Sequence, residues 1–127
     1  MKSSTSILLI AIVWFFLGFS YYPKWEKPWS EAAISWDVSG YYHYLPAIFI
    51  YHDLRQQNWM NEINQKYLPS PAQDQAFGHQ NSGNKVNKYA IGQAVLFSPF
   101  FLMAHGYAKL TGSYPADGYS LPSQFAI

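Results

Sequence analysis

Two apolar runs, separated by a long stretch that mixes polar residues with aromatic rings, set the pattern of this chain. Residues 5–21 carry no charge. At about 1.5 Å per residue a helix over them covers roughly 25 Å, close to a hydrocarbon core of about 30 Å. Residues 90–107 give a second such run, of roughly 27 Å by the same rise, carrying Gln93, Ser98, Pro99 and His105. A proline is tolerated in a membrane helix when neighbours satisfy the freed carbonyl. The pattern therefore predicts an all-α membrane protein with two membrane helices joined by a long loop that bears interfacial amphipathic helices. Its parts are an N-terminal membrane helix over residues 1–21, an aromatic-rich extracytoplasmic loop over 22–89, a second membrane helix over 90–107, and a loop over 108–127 that reaches the start of a third helix. Apolar character is returning at Phe125-Ala126-Ile127, so a truncated N-terminal piece of a longer membrane protein is expected.

Each run has a competing reading. The first could be a cleaved signal peptide with Lys2 as its basic n-region. Bulky Trp14, Phe15, Phe16 and Phe19, and the lack of a small-x-small pattern through Ser20, Tyr21, Tyr22 and Pro23, favour an uncleaved anchor. The second could be a buried core helix or a re-entrant segment. Lys24, Lys27, Arg55, Lys66, Lys85 and Lys88 lie between the runs, against Lys2 before them and Lys109 after. A plain positive-inside count thus puts the middle segment in the cytoplasm, although the rule holds best for loops below about 60 residues and acidic groups such as Glu26, Glu31, Glu62 and Asp74 contribute little to it.

Within the middle segment, rings crowd residues 21–51, as expected where an apolar body lies in lipid and a polar tip stays wet. Ser30 can cap a short helix through Glu31, Ala32 and Ala33. Asp37 precedes a helical stretch toward Leu54, with Tyr41, Tyr44 and Ile48 on one face. Gly40 and Pro46 weaken it, so a short, bent helix lying along the membrane is expected. Residues 55–87 read as a polar loop with a helical turn from Trp59 to Lys66, an extended Pro69-Ser70-Pro71, and a turn at Asn81-Ser82-Gly83-Asn84.

Charged residues make up 12% of the 127 and aromatics 20%. That is about half the usual charged share, poor for a water-exposed surface and suited to a lipid boundary. A net charge of +1 gives no electrostatic basis for nucleic-acid binding. With no cysteine, disulfides, thiolate chemistry and Cys-ligated zinc are all excluded.

Several motifs fail on inspection. Gly78-His79-Gln80-Asn81-Ser82-Gly83-Asn84-Lys85-Val86 resembles a phosphate loop, but Asn84 separates the second glycine from the lysine and Val86 has no hydroxyl for magnesium. His43, His52, His79 and His105 show no i, i+4 ligand pairing, and His52-Asp53 reads as a helix end. No G-x-S-x-G nucleophile elbow occurs. Asp37 is left as the candidate: a lone carboxylate among rings close to where the chain leaves the bilayer. Its bland role is a helix N-cap, worth about 1 kcal/mol, which does not exclude chemistry.

The order of a short N-terminal helix, an aromatic loop with Asp37, then Asn87-Lys88-Tyr89-Ala90-Ile91-Gly92 opening an apolar helix with Ser98-Pro99-Phe100, resembles the N-terminal part of bacterial multi-pass glycosyltransferases of the GT-C fold, such as the aminoarabinose and protein mannosyl transferases. The resemblance implies an integral inner-membrane enzyme that moves a sugar from a polyprenyl-phosphate donor. It implies that Asp37 is general base toward the acceptor or ligand of a divalent cation, which would be its cofactor. Lys88, with Tyr89 and more weakly Lys85, would meet the donor phosphate, Lys88 from the N-terminus of the second apolar helix. Lys85 and Lys88 can equally be interfacial anchors. Asp37 is followed by Val38, where relatives with an Asp-Glu dyad carry a second carboxylate. Asp117 could supply one only if 90–107 does not cross the bilayer. The partners implied are the lipid bilayer and the lipid-linked sugar. The alternative is a small two-span membrane protein with a structural or adaptor role; a secreted domain left by signal cleavage is a third reading.

Overall fold

The computed structural model describes residues 3–21, 23–71, 77–79 and 81–127; Lys2, Tyr22, Asp74 and Gln80 therefore lie outside the described residues. Helix α1 (Ser3–Tyr21) follows the first apolar run. Its rings and branched side chains are uncovered all round, with Ile7 at 65% and Trp14 at 71% exposure. An evenly apolar helix has no face to turn to water, so it needs a covering of protein or lipid. Among the described residues, this is the one helix long and apolar enough to cross a membrane, a test that a signal sequence also passes. Two spans are not shown.

Two 3-10 turns follow, Lys24–Glu26 and Trp29–Glu31. Ser30 lies inside the second turn rather than capping a helix through Ala33, because the chain already turns at Trp29, whose φ is 54°. Helices α2 (Trp36–Tyr42) and α3 (Tyr44–Phe49) meet at His43, whose own backbone is helical and whose N–H donates to the Ser39 carbonyl at 2.9 Å. The stretch expected to reach Leu54 stops at Phe49. Pro46 has no N–H to continue the ladder, so one bond is missing and the stretch is divided into two short helices. These helices bury Tyr42, Leu45, Pro46 and Ala47. They thus help to build the protein's own core, while Trp36, Ile48 and Phe49 of the same helices stay exposed.

Helix α4 (Met60–Tyr67) falls where a helical turn was expected. Strands β1 (Phe77–His79) and β2 (Lys85–Asn87) form an antiparallel ribbon with Gly78 opposite Val86. The turn between them was legible in Asn81 to Asn84; three-residue strands are too short for an alternation to register. Helix α5 (Gly92–Thr111) ends at Gly112, whose φ of 62° suits a glycine helix stop. Helix α6 (Leu121–Ala126) occupies the returning apolar character near residue 127.

The core joins Ile34, Tyr42, Leu45, Ile63, Phe101 and Tyr119. Tyr42 meets Phe101 and Tyr119 edge to face at 5.8 and 5.6 Å, a favoured aromatic geometry. Tyr51 and His43 each stack on Trp59, at 4.4 and 4.8 Å. Much of the ring-rich composition is therefore interior packing, while Tyr21, Trp29 and Trp36 stay outside.

After α5 the chain turns back onto the segment that precedes it. Tyr42 Oη donates to the Gly118 carbonyl at 2.5 Å, and the Asp117 carboxylate accepts from Lys66 Nζ at 2.9 Å and from Tyr67 Oη at 2.7 Å. Ile34 N–H donates to Gln124 Oε1 at 2.8 Å.

Candidate functional site

Asp37 sits in the first turn of α2, not at its N-cap, which is Ser35. An acid there still favours the helix through the exposed N–H groups. Trp36, just before it, has φ 48°, and its N–H donates to the Pro69 carbonyl at 3.0 Å. A tryptophan in the left-handed region is strained by roughly 1–2 kcal/mol, and such strain collects at functional positions.

The hydroxyl of Tyr89, from the segment leading into α5, donates to Oδ1 of the exposed Asp37 carboxylate. That bond, with some burial added, pushes Tyr89 up to about 12, so its proton stays on the phenol at neutral pH. Three further contacts fix the ring. Tyr41 lies 4.6 Å away, the Tyr44 hydroxyl donates to the Tyr89 carbonyl at 2.6 Å, and Asn87 Oδ1 accepts from the Tyr89 N–H at 3.0 Å. Asn87 Nδ2 in turn donates to the Gly40 carbonyl at 2.8 Å. Beneath the ring is Gly40 itself: a Cβ there would lie 2.2 Å from Cδ2 and Cε2 of Tyr89. The glycine is what lets the phenol lie flat against α2.

Lys88 holds its ammonium 5.0 Å from the centre of the same ring. At an exposed site such a contact is worth about 0.5–1 kcal/mol. It does not occupy the first turn of the apolar helix, as expected, since α5 begins only at Gly92. Lys85 is elsewhere: its N–H donates to the Arg55 carbonyl at 2.8 Å, and its charge bears on His43.

So Asp37, Tyr89 and Lys88 come together across about fifty residues of chain, and Lys85 does not join them. Sequence reasoning missed Gly40 and Asn87 as parts of the site. An isolated glycine inside a helical pattern was the available signal, since it often marks a close approach.

No group of three or more His, Asp or Glu side chains lies together among the described residues. With one carboxylate, and one of its oxygens engaged by Tyr89, the site does not fit a divalent cation. Asp117, the other candidate acid, is committed to Lys66 and Tyr67 and to the N–H groups of Tyr119 and Ser120. The site is an open shelf. A groove of ≈ 680 Å³, lined by Trp25, Phe100, Met103, Tyr107, Leu121 and Phe125 among others, includes none of its residues.

Compared with protein families, with curated proteins and with solved structures, the chain finds no match in any of the three.

Proposed function

We propose that this chain is part of an integral membrane glycosyltransferase that moves a sugar from a polyprenyl-phosphate donor to an acceptor hydroxyl, with Asp37 as general base. The observation that carries the reading is the Asp37–Tyr89–Lys88 cluster, in which an exposed carboxylate is oriented by a phenol whose ring also meets a cation. As the bond from the sugar's anomeric carbon to the phosphate oxygen breaks, the acceptor oxygen bonds to that carbon and its proton passes to Asp37. The leaving polyprenyl phosphate keeps the electron pair of the broken bond, and the Lys88 ammonium offsets its charge. Tyr89 orients Asp37 and keeps its own proton. No step uses a metal ion. In this reading α1 is an uncleaved anchor in a bacterial plasma membrane and the Asp37 shelf faces outward.

The test is transfer of radiolabelled sugar from polyprenyl-phosphate donors by membranes that hold the full-length protein. Asp37→Asn should lower the rate by at least about 100-fold while the protein still inserts. Near-normal transfer would remove Asp37 from the chemistry.

One observation favours a structural role instead. The Tyr89–Asp37 bond joins α2 to the segment that leads into α5, so the pair also acts as a clasp between them. A small membrane adaptor would keep that clasp and show no transfer with any donor.

A further inference from the structure

We infer that α5 does not cross the membrane but lies on its surface, with its outward face in the lipid, so that the segments before and after it share one side. The inference concerns topology and stands whether or not the Asp37 shelf transfers sugar.

The first support is the chain's return. Residues 112–124 bond to residues 34–67, which precede α5: Asp117 to Lys66 and Tyr67, Gly118 to Tyr42, and Gln124 to Ile34. A crossing by α5 would put a hydrocarbon layer of about 30 Å between these partners. The core face of α5 belongs to the same body along its length. Ala94, Phe101, Ala104 and Ala108 are buried, and Phe101 packs on Tyr42 and Phe49.

The opposite face points to lipid as the partner. Val95, Leu96 and Met103 are 63%, 66% and 64% exposed, and Leu110 is 90% exposed. No charged residue occurs between Lys88 and Lys109. A contiguous apolar patch of that extent marks an interaction surface. This one runs into the surface of α1. Phe19, near the end of α1, packs on Trp25 at 4.8 Å and on Phe125 at 6.1 Å. Trp25 and Phe125 then line the ≈ 680 Å³ groove together with Phe100 and Met103 of α5. Where α1 enters a bilayer, α5 must therefore lie against it, and lipid alkyl chains are the groove's occupant. A helix bound in this way sinks to the boundary between headgroups and acyl chains, with its inner face covered by protein instead of water. Lys88 before it and Lys109 in its last turn can reach the headgroups.

The absence of cysteine makes the test direct, since single cysteines can be introduced without a background. The full chain is inserted into sealed vesicles of phosphatidylethanolamine and phosphatidylglycerol. Asn61→Cys in α4 and Ser113→Cys after α5, both exposed positions, are treated with a membrane-impermeant maleimide before and after the vesicles are opened. Nitroxides on Val95→Cys, Met103→Cys and Leu110→Cys report depth through collisions with oxygen and with a water-soluble relaxant. We expect residues 61 and 113 to show the same protected fraction in vesicles of one orientation, and the three nitroxides to sit at one shallow depth. Labelling of 61 and 113 from opposite faces overturns the inference. So does a depth profile that passes through the bilayer centre at residue 103, and so do three water-exposed nitroxides.

Discussion

Gly40→Ala isolates the close approach on which the Asp37 shelf rests. The added methyl would lie 2.2 Å from two ring carbons of Tyr89, so either the phenol leaves α2 or the helix shifts. Overpacking of this kind costs roughly 1–3 kcal/mol. Alanine is favoured over glycine inside a helix by about 1 kcal/mol, which offsets part of the loss. The net effect in the native background is a destabilisation of roughly 0–2 kcal/mol. In a Tyr89→Ala background the ring is gone and only the helix term survives, so the same change should stabilise by about 1 kcal/mol. The sign of the Gly40→Ala increment therefore reverses between backgrounds, a coupling of roughly 2 kcal/mol that a double-mutant cycle reads directly. Thermal unfolding in detergent micelles, followed by near-ultraviolet circular dichroism, should show it as roughly 8 °C of difference between the two increments. If Gly40→Ala raises the midpoint equally in both backgrounds, the ring does not rest on residue 40 and the geometry of the shelf is wrong.

Two further outcomes follow from the core. Burial, with the Lys85 charge added, holds His43 down at about 4 against an ordinary 6.5. The unfolded chain takes up that proton first as pH falls, so stability is full above about pH 6.5 and roughly 3 kcal/mol is lost by pH 4. Denaturation midpoints across that range should slope in the native protein and flatten in His43→Gln; a native curve that stays level contradicts the burial of His43. Asp117→Ala strands four donors and should cost about 2–4 kcal/mol. Asp117→Asn keeps acceptance from the two N–H groups and should lose less, as read by the shift in thermal midpoint; equal losses would mean that those two backbone bonds contribute nothing.

Much of the helical content could be read from the chain, and the reason is periodic apolar content. Residues 5–21 fall within α1, and 90–107 overlaps α5, which is shifted to 92–111. The sign of burial could not be read. Tyr42 looks like a boundary anchor on composition, because a ring suits a lipid interface and an aromatic core equally well. What decides between them is the return of residues 117–119 onto α2, a contact across more than seventy residues. No local pattern encodes such a pairing. The link from Asp37 to Lys88 and Tyr89 was anticipated through a family resemblance, not through geometry. Gly40, which makes the contact sterically feasible, looked only like a weak point in a helix.

The two aspartates differ in what they have left to give. Both belong to one body, so the topological objection to Asp117 as a partner for Asp37 disappears; commitment takes its place. Oδ2 of Asp117 accepts from Lys66 and Tyr67, and its Oδ1 from two backbone N–H groups. A carboxylate with four donors has no lone pair free for a substrate proton without first breaking the loop it organises. At Asp37 the described bond is to Tyr89 alone, at Oδ1, on a residue open to solvent. Tyr89 is pushed up to about 12 and gives up no proton at neutral pH, so its bond orients the carboxylate without neutralising it. A base must have an acceptor orbital within reach of the proton it takes, and geometry comes before acidity in choosing one. On that criterion Asp117 is architecture, while Asp37 keeps an exposed carboxylate with one described bond.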